Sequence, residues 1–407
     1  MPRACMIVHS HYPADPRVRR EAESLLADGW AVDVICLRDP GEKPREECAG
    51  ATVYRIPVTR HRASGLAVYL WEYLLFFFAA SFRVTALHLR RRYDVVQAHN
   101  MPDFLVFAAA IPRLLGARVV LDIHDLVPEL YGVKFTGRGS RLVARITRMV
   151  EYVSTAFADQ VITAGEPFRR RLLARQVPAE KVTVVMNSAD PRLFHPLERA
   201  PANPEGDNRF TLVYHGGLFH RYGLDIAVRA VHRLREEIPD LQFRIYGDGD
   251  AVPELEQLIG ELRLEERVHL GGFVPLDRIP ALIAGADLGV VPYRQNPFTD
   301  LLFPTKAFEY IVMGVPVIMA RTEAVVTLFG EVPDLFFQPG DDRELAERIL
   351  ALYKEPARRQ LLLAVSRAAY APYAWDRQQH EYLALMNRLV TGRGSMPALD
   401  SFKGRQA

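Results

Sequence analysis

Residues 210–223 read FTLVYHGGLFHRYG, and the fold is decided there. A run of apolar and β-forming residues ends on two glycines; a short polar turn, a further glycine and a helical pattern from Leu224 follow. A strand that ends on glycine and turns directly into a helix is one β–α unit of a parallel sheet. Glycines let backbone N–H groups approach a bound anion, and a helix N-terminus favours negative charge. Arg221 adds a guanidinium, whose charge-assisted bonds to a diphosphate are each worth about 1.5–3 kcal/mol. The same residues also describe a plain tight turn with an exposed arginine, and on this stretch alone both readings stand.

Strand and helix alternate in both directions from this point. Downstream, strands are expected at 241–246, 267–270, 287–291 and 315–319, then helical segments from 341 and a last helix at 375–390. Upstream, the strand candidates are 4–10, 31–37, 52–57, 94–98, 117–122, 160–163 and 182–185, with a helix at 16–28 stopped by Gly29. Residues 187–208, rich in Pro, Asn, Ala and Asp, read as a linker. The expected fold class is α/β, with two Rossmann-like, doubly wound parallel-sheet domains at 1–190 and 205–370. A helix at 371–390 is expected to return to the first domain, and 391–407 to be a disordered tail. Open parallel sheets bind ligands beyond the carboxyl ends of their strands, so the expected site is a cleft between the two domains.

The composition agrees. With 407 residues, 49% hydrophobic and 25% charged, the chain can bury large cores without disulfides. Its three cysteines, Cys5, Cys36 and Cys48, form no C-x-x-C pair, which excludes a zinc knuckle and fits a reducing compartment. The N-terminus reads as a strand rather than a signal peptide, and the longest apolar run, 66–82, is short for a bilayer span and broken by Glu72. Lys+Arg exceed Asp+Glu by 26 to 20 through Asp190 and trail by 25 to 29 after it. A basic first half attracts anionic lipid or acceptor; an ordinary solvated surface explains it equally.

Two further clusters carry chemistry. In FPTKAFEY (303–310), Pro304 suits the first turn of a helix, and Lys306 and Glu309 share a face. A lysine near a helix N-terminus suits a diphosphate and a carboxylate one turn on suits two ribose hydroxyls; an exposed ion pair worth only tenths of a kcal/mol is the competing reading. In DIHDLVPE (122–129), four ionisable groups crowd one strand end, where His124 and Asp125 can bond a sugar hydroxyl or manage a proton; a capping aspartate beside a structural histidine is the alternative. No metal is expected: Asp248-Gly249-Asp250 imitates a metal motif but reads as a polar turn, and Val252 breaks the dinucleotide fingerprint.

Taken in order, HYPADPRVRREAESLLADGWAVDVI, AHNMPD, LDIHDLVPEL, VVMNSADPRLF, YHGGLFHRYGLDIAVRAV, RIYGDGD, VHLGGFVP, ADLGVVPY and PTKAFEYIVMGVPVI resemble the family-4 glycosyltransferases, retaining enzymes of the GT-B fold, over nearly the whole length. The resemblance implies that Glu309 holds the donor ribose, that Lys306, Arg221 and the Gly216–Gly217 turn meet the diphosphate, and that Gly272, Phe273 and Val274 contact the base. It implies that His124 touches the donor sugar near the reacting carbon, that His124, Asp125 and Glu309 are the catalytic residues, and that His11, Arg17, His99 and Asn100 lie on the acceptor side. Three departures accompany it. Gly217 stands where many members have arginine, Tyr222 stands at the usual lysine, and Leu301 replaces the first motif glutamate, leaving Asp300 or backbone N–H groups near Leu301 and Leu302 to hold the donor sugar.

The implied reaction is transfer of a sugar from a nucleoside-diphosphate sugar to a hydroxyl of a glycan or lipid-linked acceptor, with retained configuration, without metal or other cofactor, in surface polysaccharide synthesis. No nucleic-acid partner is expected. The expected location is the cytoplasm at the inner face of the cell membrane, with Arg60, His61 and Arg62 before the aromatic-rich run and Arg90, Arg91 and Arg92 after it as a peripheral contact. A nucleotide-sugar epimerase of the same architecture and a non-catalytic nucleotide-sugar-binding subunit are the alternatives.

Overall fold

The computed structural model describes residues 1–58, 66–134, 140–196 and 209–392. The first sheet takes β1 (Arg3–Val8), β2 (Ala31–Leu37), β3 (Arg45–Cys48), β4 (Ala51–Ile56), β5 (Val95–His99), β6 (Arg118–Ile123), β7 (Gln160–Thr163) and β8 (Val182–Val184), in the order β3-β4-β2-β1-β5-β6-β7-β8. The second takes β9 (Phe210–His215), β10 (Leu241–Tyr246), β11 (Val268–Leu270), β12 (Leu288–Val291), β13 (Val317–Ala320) and β14 (Phe336–Phe337), in the order β11-β10-β9-β12-β13-β14. In the second sheet every pairing is parallel. Its central strands are buried end to end, as sheets covered by helices on both faces require.

Two strands escaped the sequence reading. β3 is antiparallel to β4, and its sequence REEC alternates between exposed and half-buried edge positions with no apolar run to announce it. β14 is two phenylalanines long, below the length at which a period can be read. The expected linker is firmer than its composition implied: Ala189 and Phe194 are buried, and Asp190 accepts bonds from the backbone N–H and guanidinium of Arg192. Residues 197–208, residues 60–62 and the tail beyond 392 lie outside the described residues.

By density of contacts the chain forms two compact units, Met1–Ile123 with Val153–Ile162 and Gln379–Ala407, and His124–Tyr152 with Thr163–Gln378. Within the first, Tyr382 on the helix Trp375–Thr391 donates to Gln97 Oε1 of β5 at 2.7 Å. The helix Leu66–Arg91 is long and apolar enough to cross a bilayer from Val68 on, yet it buries Phe76, Ala80, Val84 and Leu87, and His9 of β1's end meets the rings of Tyr73 and Phe76 edge-on. One face of it is therefore core.

Candidate active site

β9 delivers Tyr214 and His215 to the carboxyl end of the second sheet, and the chain then turns through Gly216 at φ +118°. A side chain at Gly217 would strike the Phe219 ring, its Cβ falling 2.6 Å from a ring carbon. Gly223, at φ +63°, precedes the helix Leu224–Leu234, and a Cβ there would lie 2.1 Å from the Pro292 carbonyl oxygen. The turn thus closes against the end of β12, which is why only glycine serves at 223.

The helix Thr305–Met313 starts after Pro304 and sends Lys306 from its first turn over this loop. Lys306 Nζ donates to the Tyr293 hydroxyl at 2.8 Å and lies 4.8, 5.4 and 5.0 Å from the ring centres of Tyr214, Tyr222 and Tyr293. Its Cε would stand 3.2 Å from a Cβ on Gly216, so lysine and glycine turn are neighbours. Tyr222 stacks on Tyr293 with centroids 4.5 Å apart. The Arg221 guanidinium lies over Phe219 and Tyr222 at 4.3 and 4.8 Å, and its buried Nε has no hydrogen-bond partner. Among the described residues no carboxylate pairs with Lys306 or Arg221. Burial holds Lys306 below the ordinary 10.5 of a lysine, partly offset by Tyr222 and Glu309, and burial raises the Tyr214 and Tyr222 hydroxyls.

Glu309, one turn after Lys306, does not pair with it. Its Oε2 lies 3.0 Å from His215 Nε2, an ion-pair distance without well-formed hydrogen-bond geometry. The His215 backbone N–H donates to the Tyr310 hydroxyl at 3.2 Å, and the two rings meet edge-on. The simple surface ion pair between Lys306 and Glu309 is therefore not formed.

Other expected residues fall as follows. Gly272, at φ +66°, accepts the Gly247 N–H through its carbonyl at 2.7 Å, and Phe273 beside it is exposed while Val274 is half-buried. Asp300 Oδ1 accepts the Glu323 N–H at the start of the helix Glu323–Phe329, so this carboxylate is already engaged; Leu301 is buried and Leu302 half-buried. His124 is buried, and Asp125 is close enough to Tyr222 to raise its hydroxyl further. His11 lies 3.1 Å from Asp39, and Arg17 bonds Asp15, the cap of the helix Pro16–Ala27.

The first sheet carries its own cluster at its strand ends. His99 is enclosed, its Nδ1 2.9 Å from Asp122, and Asn100 donates to Asp103 at 2.9 Å. Gln97 Nε2 donates to Glu21 at 2.6 Å and to Asp122 at 3.3 Å. Burial, and then the Asp122 charge, push the Glu21 carboxyl well above the usual carboxylate range. Neither this cluster nor the Tyr214–Tyr222–Tyr293 cage was foreseen as a unit. The only trace of the cage in the sequence is a tyrosine at each of two strand ends.

A model of the glycosyl transferase 4-like domain matches residues 14–188, and one of glycosyl transferases group 1 matches residues 209–355. The 2-deoxystreptamine glucosyltransferase of Streptomyces kanamyceticus is 27% identical over 361 residues, covering 85% of this chain and 84% of that protein. Sucrose-phosphate synthase from Thermosynechococcus elongatus superposes with a TM-score of 0.77 at 21% identity, covering 96% of this chain and all of that one. HepE of Anabaena, solved with UDP-glucose, superposes at 0.71 and 18% identity over 95% of this chain. These likenesses show the fold.

Proposed function

This chain belongs to the glycosyl transferases of group 1 and has the GT-B fold, and we propose that it moves a sugar from a nucleoside-diphosphate donor to an acceptor hydroxyl with retention of anomeric configuration. The observation that carries the donor assignment is the pair of cations, Lys306 and Arg221, set against the same Tyr222 ring beside the Gly216 turn, with no carboxylate paired to either among the described residues. A diphosphate completes that arrangement. As the bond from the anomeric carbon to the diphosphate oxygen breaks, negative charge grows on the leaving group, and fixed cations lower the barrier by meeting it there. The acceptor oxygen bonds the anomeric carbon on the face the diphosphate leaves, and the hydroxyl proton passes to the departing phosphate. Lys306 and Arg221 supply the charge that a metal provides in other transferases.

In this reading Glu309, oriented by His215, accepts the ribose hydroxyls, and the exposed Phe273 ring offers a stacking surface for the base. His124 and Asp125 face the sugar. The acceptor is a glycan or lipid-linked hydroxyl of surface polysaccharide synthesis. HepE was solved with UDP-glucose, which makes a UDP-sugar the first donor to try.

A thermal-shift panel of UDP, GDP, ADP and their sugars tests the donor assignment. One nucleotide at about 100 times its dissociation constant stabilises the fold by about 2.7 kcal/mol. No shift with any of them removes the reading. The burial of Leu301 where the family carries a glutamate favours a second reading, a nucleotide-sugar-binding chain without turnover. Donor binding with neither transfer nor hydrolysis identifies that case, and isomerised donor formed without acceptor identifies an epimerase.

A further inference from the structure

The helix Ser140–Phe157 is built inside out. Its buried residues include Thr147, Glu151, Ser154 and Thr155, all polar, whereas Leu142, Ile146, Met149 and Val153 face solvent at 61, 53, 68 and 36% exposure. At 3.6 residues per turn these four fall within about 60° of the helix circumference. Arg141, Arg145 and Arg148 are exposed and form a second row of about the same width beside the first. An ordinary surface helix does the reverse, turning its apolar stripe to the core.

The facing is not a free rotation. Glu151, the helix's only acid, is held on the buried side by both oxygens, each 2.7 Å from Arg175 Nη1, and Arg175 also bonds Glu129. Burial raises the Glu151 carboxyl, and Arg175 opposes that shift. Turning the apolar row inward would carry this carboxylate away from its partner, and breaking a buried pair in that way is strongly destabilising. The exposed apolar row is therefore specified by the fold.

Three guanidiniums with no exposed acid among them select a negatively charged partner. An aliphatic row lying alongside an arginine row matches a surface whose charge and hydrocarbon begin at adjacent depths, as phosphate headgroups and acyl chains do. A second copy of the chain would set arginines against arginines. We propose that this helix is a docking surface for an anionic lipid bilayer, lying in the plane of the headgroups with Leu142, Ile146, Met149 and Val153 below them. The proposal stands apart from the donor reading.

The helix Leu66–Arg91, where the sequence placed the membrane contact, fits less well. It exposes Trp71, Leu75, Phe78 and Phe82, but Arg91 is paired with Asp33, and both Arg83 and Arg91 lie over the Tyr54 ring. Arg83 and Arg91 thus serve the sheet rather than the apolar row, leaving Arg90 as the helix's one exposed guanidinium not so engaged.

Co-sedimentation of the full chain at low salt with vesicles of phosphatidylcholine, or of phosphatidylcholine and phosphatidylglycerol in equal parts, tests this. The chain is expected on the anionic vesicles only. The double variant Ile146→Glu, Met149→Glu should lower the bound fraction about tenfold with an unchanged thermal midpoint. Arg145→Gln with Arg148→Gln should weaken binding and flatten its salt dependence, and Phe78→Glu should leave it intact. The proposal is overturned by no binding to anionic vesicles, by undiminished binding of the Ile146, Met149 double variant, or by loss through Phe78→Glu alone. A dimer that the double variant converts to monomer, without vesicle binding, makes the partner a second copy and also overturns it.

Discussion

The two sheets end in clusters of opposite character. At the end of the first, Glu21, Gln97, His99, Asp122 and Tyr382 form a set linked by Gln97, which bonds Glu21, Asp122 and Tyr382, and by the contact of His99 Nδ1 with Asp122. At the end of the second, Lys306 and Arg221 rest on tyrosine and phenylalanine rings, and among the described residues no carboxylate is paired with either. One architecture thus carries a cluster in which acids face their partners and one in which two cations are held by rings. Partly desolvating a lysine costs free energy, and cation–π contacts of about 0.5–2 kcal/mol return only part of it. In the proposed function a diphosphate of opposite charge completes that cluster.

The largest break in this contrast comes from Lys306→Ala, which should weaken nucleoside-diphosphate binding about ten- to a hundredfold by isothermal calorimetry, the equivalent of one charge-assisted bond. Glu309→Ala should fall at the lower end of that range. Affinities near that of the unaltered chain in both would dissolve the comparison.

Next in size is the pH dependence. In the proposed donor site the ammonium form of Lys306 binds the diphosphate, and burial has moved its titration below 10.5. Affinity should therefore decline on raising pH before an ordinary lysine would lose its proton. In Lys306→Arg the decline should move to higher pH, because guanidinium does not titrate there. A profile identical in the two chains would show that Lys306 is not the titrating group.

The smallest effect belongs to the cluster of the first sheet. Glu21 is raised in the fold, so folding keeps a proton on it that the unfolded chain releases above about 4.5. The stability it contributes is complete below that pH and is lost as pH climbs toward the folded value. Glu21→Gln should remove this slope from the thermal midpoint measured against pH, with nucleotide affinity unaltered. A change in affinity would mean that the two clusters are coupled.

Much was legible before any coordinates. The strand 210–215, its glycine turn and the following helix stand where FTLVYHGGLFHRYG places them, because a strand, a positive-φ glycine and a helix start are each specified by neighbours in sequence. The edge strand Arg45–Cys48 was not legible, since it owes its conformation to pairing with β4 rather than to its own residues. Nor was the destination of Glu309. Its spacing from Lys306 placed both on one helical face, but His215 at the end of β9 drew the carboxylate instead.

The sequence by itself determined the alternation of strands and helices, the glycine turn, and the rows of apolar and charged residues along each helix. Each follows from periods of two or 3.6 residues, which are local. Only the tertiary structure decided that Tyr214, Tyr222 and Tyr293 gather around Lys306, and that the helix Ser140–Phe157 turns its aliphatic row outward. A helix's period says which residues share a face; which face is buried depends on a partner such as Arg175, and its contact with Glu151 exists only once the chain has folded.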